Sequence, residues 1–308
     1  MESAITLRFS TQAQSDIKRM TAELSDLQRQ VASNQKANDL RGYGASSAQL
    51  LNAQTLKATT DSRSSVVNEL QARFGVQTTA LDQVASMASM LSQSIGQAIS
   101  SNDGRGVATD LDIAFSNIVT ALNETWNGQP LFAGERQGEG PIKITSLDQL
   151  LAASGPSDIY QEATRSQQVD LGTGTPITLA PKASDISQGL FDALKQLKQL
   201  VDAQGGQIGQ PISPDVQATL QTIATTLNKQ ATVFTSEEGR SGQLQTRFAT
   251  EAARLSDRSD LLSSEITNQT GVDMATVSLK LNLLTTQYQA AAKTFSDLSQ
   301  LSLLNYLR

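Results

Sequence analysis

One run of residues limits the fold more than any other. Val67, Leu70, Phe74, Gln77, Leu81, Val84, Ala88, Leu91, Ile95 and Ala98 follow one another at alternating spacings of three and four, and Gln77 is the one polar member. That period puts all of them on a single stripe of an α-helix. At ~1.5 Å rise per residue the stripe predicts a helix of roughly 50 Å, well beyond the ordinary length of about 11 or 12 residues. A stripe of that length needs an equally long partner, so the chain is expected among helical bundles and coiled coils.

The same period sits at both ends of the chain. Ile17, Met20, Leu24, Leu27 and Val31 form a first amphipathic helix behind a capping box at Thr11-Gln12-Ala13-Gln14. Gly42 and Gly44 punctuate the chain before the long helix, and Asn102-Asp103-Gly104 ends it. A third helix with Leu111, Phe115, Ile118 and Leu122 is expected to run to Asn127-Gly128. Past the centre the pattern returns with Ile186, Leu190, Leu194, Leu197 and Val201. Ser213-Pro214-Asp215 then supplies a capping hydroxyl, a proline at the first helical position and a first-turn acid. Val216, Leu220, Ile223, Leu227 and Phe234 follow, with a break or kink expected at Gly239 to Gly242 before Leu244, Phe248, Leu255, Leu262 and Ile266. The last stripe is Met274, Val277, Leu281, Leu284, Tyr288, Ala291, Phe295 and Leu298, trailing through Leu301, Leu304 and Leu307 in the most apolar segment of the chain.

Between residues 131 and 183 glycine and proline gather and the period is lost. Short strands are expected at Pro141–Ile144 and Pro176–Leu179, with one short helix after the Ser146-Leu147-Asp148-Gln149 capping box. A flexible linker is the competing reading. Gly172-x-Gly174 lacks the strand–helix context and third glycine of a nucleotide loop and reads as a turn.

These elements predict a mainly α fold: an elongated antiparallel helical bundle or coiled-coil shaft built by both chain halves, with a small β-containing middle domain. Residues 1–44 form an N-terminal assembly helix, 45–130 the N-terminal half of the shaft and 131–183 the middle domain. Residues 184–268 form the C-terminal half of the shaft, and 269–308 a C-terminal assembly helix.

Composition narrows the chemistry. The 308 residues include no Cys and no His, which removes thiol nucleophiles, Ser-His-Asp triads, His- or Cys-ligated metals and the usual proton shuttle near pH 7. No catalytic residue, metal ligand or cofactor is assigned, and an enzyme is the least favoured class. Glu237-Glu238 and Asp257 with Asp260 read as solvated charge. Asn123-Glu124-Thr125 and Asn268-Gln269-Thr270 match the glycosylation pattern in helical or capping context, where chance matches are common. Trp126 reads as a packing anchor between shaft and middle domain. The net charge of −6 offers no basic field for nucleic acid or anionic membrane. Charged residues are only 18%, while Gln and Ser make up about a fifth, a surface suited to close packing of many copies. No stretch has the ~18 consecutive apolar residues of a spanning helix, and the N-terminus does not read as a cleaved secretion signal.

The stripes at the two ends raise the functional question. Ile17, Met20, Leu24, Leu27 and Val31, with Met274, Val277, Leu281, Leu284, Tyr288, Phe295, Leu298, Leu301, Leu304 and Leu307, have little nearby in sequence to cover them. Eight such side chains left wet forfeit on the order of 10 kcal/mol. Periodicity is equally compatible with the core of a monomeric bundle and with packing against neighbouring copies.

Several segments carry a resemblance. Leu27-Gln28-Arg29-Gln30-Val31-Ala32-Ser33-Asn34-Gln35-Lys36 resembles the "LQ-x-Q-hydrophobic-A-S-G-K-K" stretch of flagellin-superfamily proteins, with Asn34 in place of the glycine. The ending Leu301-Ser302-Leu303-Leu304-Asn305-Tyr306-Leu307 is similar to their "LSLLNYL". Gly128-Gln129-Pro130-Leu131-Phe132-Ala133-Gly134 and Ile186–Leu194 resemble the segments by which hook–filament junction proteins of that superfamily leave and re-enter the shaft. The "INTN" segment and the "NQ-x-P" turn of typical filament flagellins are not found. The resemblance implies a non-enzymatic structural subunit of the bacterial flagellum, joining hook to filament. It also implies partners: copies of the chain in a ring, a neighbouring hook-associated protein and flagellin, and an export chaperone at the C-terminal helix. It implies an extracellular location, reached by flagellar export without a cleaved signal. A filament flagellin is the alternative within the superfamily, and a soluble coiled-coil signalling or scaffold protein the alternative outside it.

Overall fold

A computed structural model describes residues 2–170 and 176–306, with side chains over 11–170 and 176–297. Gly172 and Gly174 therefore lie outside the described residues. In chain order the elements are α1 (Glu2–Ser33), a 3-10 turn (Leu40–Ser46), α2 (Ser47–Ser101), α3 (Val107–Leu122), β1 (Thr125–Trp126) and β2 (Gln129–Pro130). Then come α4 (Leu147–Ala152), α5 (Pro156–Ile159), β3 (Gln168–Val169), β4 (Ile177–Thr178), α6 (Ala183–Ala203), α7 (Pro214–Thr270) and α8 (Met274–Tyr306). The fold is mainly α, as the periodicity requires, and β1–β2 and β3–β4 are two small antiparallel hairpins. The chain groups into two units, residues 1–62 with 256–308, and residues 63–255.

In the 63–255 unit, α2 and α7 run antiparallel. Phe74 stacks on Phe248 with ring centroids 5.5 Å apart, Gln77 Nε2 donates to Ser241 Oγ at 2.8 Å, and Ser92 Oγ donates to the Ala224 carbonyl at 2.9 Å. Rising numbers on one helix meet falling numbers on the other. Leu81, Val84 and Ile95 are fully buried with Leu220, Ile223, Leu227 and Phe234. α3 and α6 add Leu111, Ile118, Leu190, Phe191 and Leu194 to that core.

The middle segment is part of the same core. Leu131, Phe132 and Ala133 are buried, the Phe132 carbonyl accepts from Ala183 N–H, and the Ala133 carbonyl accepts from Ala163 N–H. Gly134 has φ +65°, and a side chain there would sit 2.3 Å from the Arg165 carbonyl oxygen. Glycine meets both demands without strain. Tyr160 donates to Ser187 Oγ at 2.9 Å and packs edge-on against Phe191, while Glu162 accepts from Ser184 N–H and Oγ–H at the start of α6. Burial pushes the Tyr160 phenol well above its ordinary value. Trp126 is half-buried and packs against this core.

Several boundaries differ from the sequence expectation. α1 begins at Glu2, so Thr11–Gln14 lies inside the helix; nothing before it breaks helical propagation. α3 stops at Leu122 because the next side chain is used otherwise: Asn123 Oδ1 accepts from Ile142 N–H and its Nδ2 donates to the Ile142 carbonyl. That use also occupies the amide of the first glycosylation match. Asn127 and Gly128, both at positive φ, instead make the turn between β1 and β2. Ser146 caps α4 as expected, and Pro176–Leu179 supplies β4. Pro141–Ile144 is not a strand and pairs only at Ile142 with Tyr160. α7 runs unbroken through Gly239–Gly242.

In the other unit, α1 ends at Ser33 and Asn34 takes φ +53°. That left-handed position closes many helices, and asparagine tolerates it best after glycine. The turned chain then pairs Gln35 with Gly271, and Lys36 N–H donates to the Thr270 carbonyl at 2.8 Å. Asn34→Gly is expected to preserve or raise stability, whereas Asn34→Val should lower it by about 1 kcal/mol. Urea unfolding of the two variants by circular dichroism checks this, and equal midpoints would refute it.

Candidate assembly surface

α1 and α8 pack against each other. They run antiparallel, because the end of α1 meets residues 270–271 just before α8 begins. Leu27, Val277 and Leu284 are buried in the seam, flanked by partly buried Met20, Leu24, Val31 and Leu281. Ile17, Tyr288 and Phe295 are also half-buried, and Met274 is 39% exposed. Leu298, Leu301 and Leu304 belong to α8, but their side chains lie outside the described residues, as does Leu307 altogether.

The terminal stripes have little nearby in sequence to cover them, yet they find partial cover within the chain. Over residues 17–31 and 277–288 each shelters the other. The shelter is incomplete for a geometric reason. Two helices alone leave the flanks of a seam open, and a fully buried side chain touches about 6–12 other residues.

A second apolar face was not read from the sequence. Leu279 is 71% and Leu283 58% exposed, one turn apart on the side of α8 turned away from the seam. Leu261 on α7 is 72% exposed in the same unit. Of the ten large apolar side chains exposed among the described residues, Leu40, Leu51, Leu56, Leu261, Met274, Leu279 and Leu283 belong to this unit, and three belong to the larger one. Covering a leucine fully is worth roughly 1.5–3 kcal/mol, so this unit gains most from a partner. The signal was present as an i, i+4 leucine pair off the main stripe.

Charge divides the same way. The unit of 1–62 with 256–308 has 11 basic and 11 acidic residues, net zero; residues 63–255 have 13 basic and 19 acidic, 13 − 19 = −6. The whole net charge thus belongs to the unit with fewer exposed leucines. Like copies of the neutral unit meet no net repulsion.

Polar contacts in this unit join α2 to α7 and cap α8. Asp61 pairs with Lys57 at 2.7 Å and accepts from Ser259 on α7, which together hold its carboxyl below the ordinary value. Asp273 caps α8, accepting from Thr276 Oγ1 at 2.6 Å and from the N–H groups of Ala275 and Thr276. In the larger unit Glu237 pairs with Arg240 at 3.5 Å. Among the described residues no group of three His, Cys, Asp or Glu could hold a metal ion, and no helix is long and apolar enough to cross a membrane.

Comparison with known proteins bears on this surface. Residues 223–307 match the family model of the bacterial flagellin C-terminal helical region, which takes in most of α7 and α8. No curated protein sequence matches the chain. Among solved structures, a protein described as a flagellar hook-associated protein from Vibrio parahaemolyticus has TM-score 0.58 and 16% identity, over 73% of this chain and 97% of that one. FlgL of Bacillus cereus has TM-score 0.56 and 14% identity, over 70% of this chain and 98% of that one. At these identities the likeness is one of fold.

The α8 cap gives a pH test. The Thr276 hydroxyl, then the Thr276 and Ala275 N–H groups, hold the Asp273 carboxyl below 3.8. A depressed carboxyl stabilises the fold fully above its unfolded value, and that contribution is lost as pH falls through the lower folded value. NMR titration of the Asp273 carboxyl carbon should show a midpoint below 3.8 that rises in Thr276→Val. A wild-type midpoint at or above that value contradicts the cap.

Proposed function

We propose that the chain is a structural subunit of the bacterial flagellum, a hook–filament junction protein of the hook-associated protein 3 type, working by helix packing between subunits. The observation that carries this reading is the flagellin C-terminal region at residues 223–307 on a fold shared with hook-associated proteins. Copies of the chain would meet through the neutral, leucine-bearing unit. Leu279 and Leu283, with the terminal stripes Ile17–Val31 and Met274–Leu307, supply the apolar contacts, and the −6 unit stays solvated. Neighbouring copies in a ring, a second hook-associated protein and flagellin are the partners that fit such a surface. An export chaperone at α8 would cover the same leucines before assembly, and export into the flagellum gives the extracellular location. No catalytic role is proposed.

The flagellin C-terminal match also favours a second reading, a filament flagellin. Negative-stain microscopy of the purified chain with filament seeds separates the two: long polymers indicate flagellin, whereas a cap of limited length indicates a junction protein.

The surface itself is tested by paired substitutions. Leu279→Asp with Leu283→Asp should leave the monomer's circular dichroism and unfolding midpoint unchanged yet abolish incorporation onto hook ends. Leu27→Asp should instead destabilise the monomer by about 2 kcal/mol or more, because it buries an unpaired charge in the seam. Incorporation of the Leu279/Leu283 variant at the wild-type level would overturn the assignment.

A further inference from the structure

The apolar core of residues 63–255 is interrupted at one level. One cluster takes in residues from Ala80 on α2 to Phe234 on α7; a separate one joins Val67, Leu70 and Phe74 to Leu179, Phe248 and Leu255. Between them lie Gln77, 1% exposed, and Ser241, 3% exposed. Gln77 gives its N–H to Ser241, but its Oε1 is buried without a partner. One turn earlier Arg73 is 7% exposed, its Nε equally unpartnered. Burial pushes its guanidinium below the ordinary value. Buried polar groups left in this state weaken the packing around them. Gln77, Leu244 and Ser241 also line a small cleft whose other wall is Thr178–Pro181.

The backbone is weak at the same level. Gly75 lies on α2 beside Gln77, and Gly239 and Gly242 flank Ser241 on α7. A methyl group at Gly239 or Gly242 would meet nothing within 4 Å, and at Gly75 only an ordinary contact with Gln245 at 3.5 Å. Packing does not require glycine at any of the three. Each nonetheless weakens its helix about fivefold relative to alanine. The helix through Gly239–Gly242 is continuous, so the weakness is energetic and not a visible kink.

We infer that this polar, glycine-bearing layer is a flexure point, where α2 and α7 part locally while the apolar clusters on either side stay closed. The side-chain defect, the cleft and the surplus glycines are separate observations that converge on residues 73–77 and 239–245.

Hydrogen–deuterium exchange of the full chain, read at residue resolution, tests it. Amides of residues 239–245 should exchange at least about tenfold faster than those of 223–234 and 248–255. Gly239→Ala with Gly242→Ala should slow the 239–245 amides about twenty-fivefold, the product of two such helix gains. Gly96→Ala, at a helical glycine on α2 with equally open surroundings but away from the layer, should leave them unchanged. Uniform wild-type exchange from 223 to 255 would overturn the inference. So would an alanine pair without effect on 239–245, or an equal slowing of those amides by Gly96→Ala.

Discussion

Two apolar stripes, each longer than a lone helix can keep out of water, meet along α2 and α7, and the smaller elements form only where that meeting gives them a surface. A two-residue hairpin or a single helical turn has too few internal bonds to hold its conformation in water. β3–β4 is nevertheless ordered, because Leu179 inserts beside Phe74 and Phe248 and Val169 and Ile177 pack around that cluster. α5 is one turn long, and Tyr160 at its end is held by Ser187 and Phe191 of α6, which itself rests on the α2–α7 core. The middle segment is thus a dependent of the helical core, which is why the reading of it as a flexible linker fails.

Packing leaves the two terminal helices unequal. The large apolar residues of α1 among the described side chains fall on the seam side, and none of them is exposed. α8 carries a seam and, turned away from it, Leu279 and Leu283. A helix that is apolar on more than one face requires more than one neighbour. One neighbour is α1, and Leu279 and Leu283 face away from it. The neutrality of this unit points the same way, since desolvating a surface with balanced charges encounters no net self-repulsion, whereas the −6 of residues 63–255 resists it.

The helices were legible in the sequence because a spacing of three and four, sustained over tens of residues, has one structural solution. Ends were less legible, because they depend on what lies across the fold. Asn123 stops α3 by bonding Ile142, nineteen residues on, and no local pattern announces that. Gly239 and Gly242 suggested a break, yet α7 carries through them because Phe234 and Phe248 anchor it on both sides. The candidate surface was half legible: the main stripe was read and proved to be shared with an internal seam, while the second face of α8 was hidden beneath the stronger period. Asn34, which departs from a glycine pattern, proved to hold the conformation that glycine would have held.

Gln77 shows how much a single departure from period can carry. An amide on an apolar stripe would weaken a seam unless its partner helix offered a polar group at the same height, and Ser241, 164 residues away in sequence, does so. The match is only partial, since the hydroxyl accepts one hydrogen bond and leaves the Gln77 carbonyl oxygen unanswered. An apolar pair of similar size would pack with no such orphan. The seam therefore holds less stability at this height than its own pattern allows on either side, and the open surroundings of Gly239 and Gly242 remove the steric reason for it. That layer is a property of the fold in its own right, separate from the exposed leucines of α8.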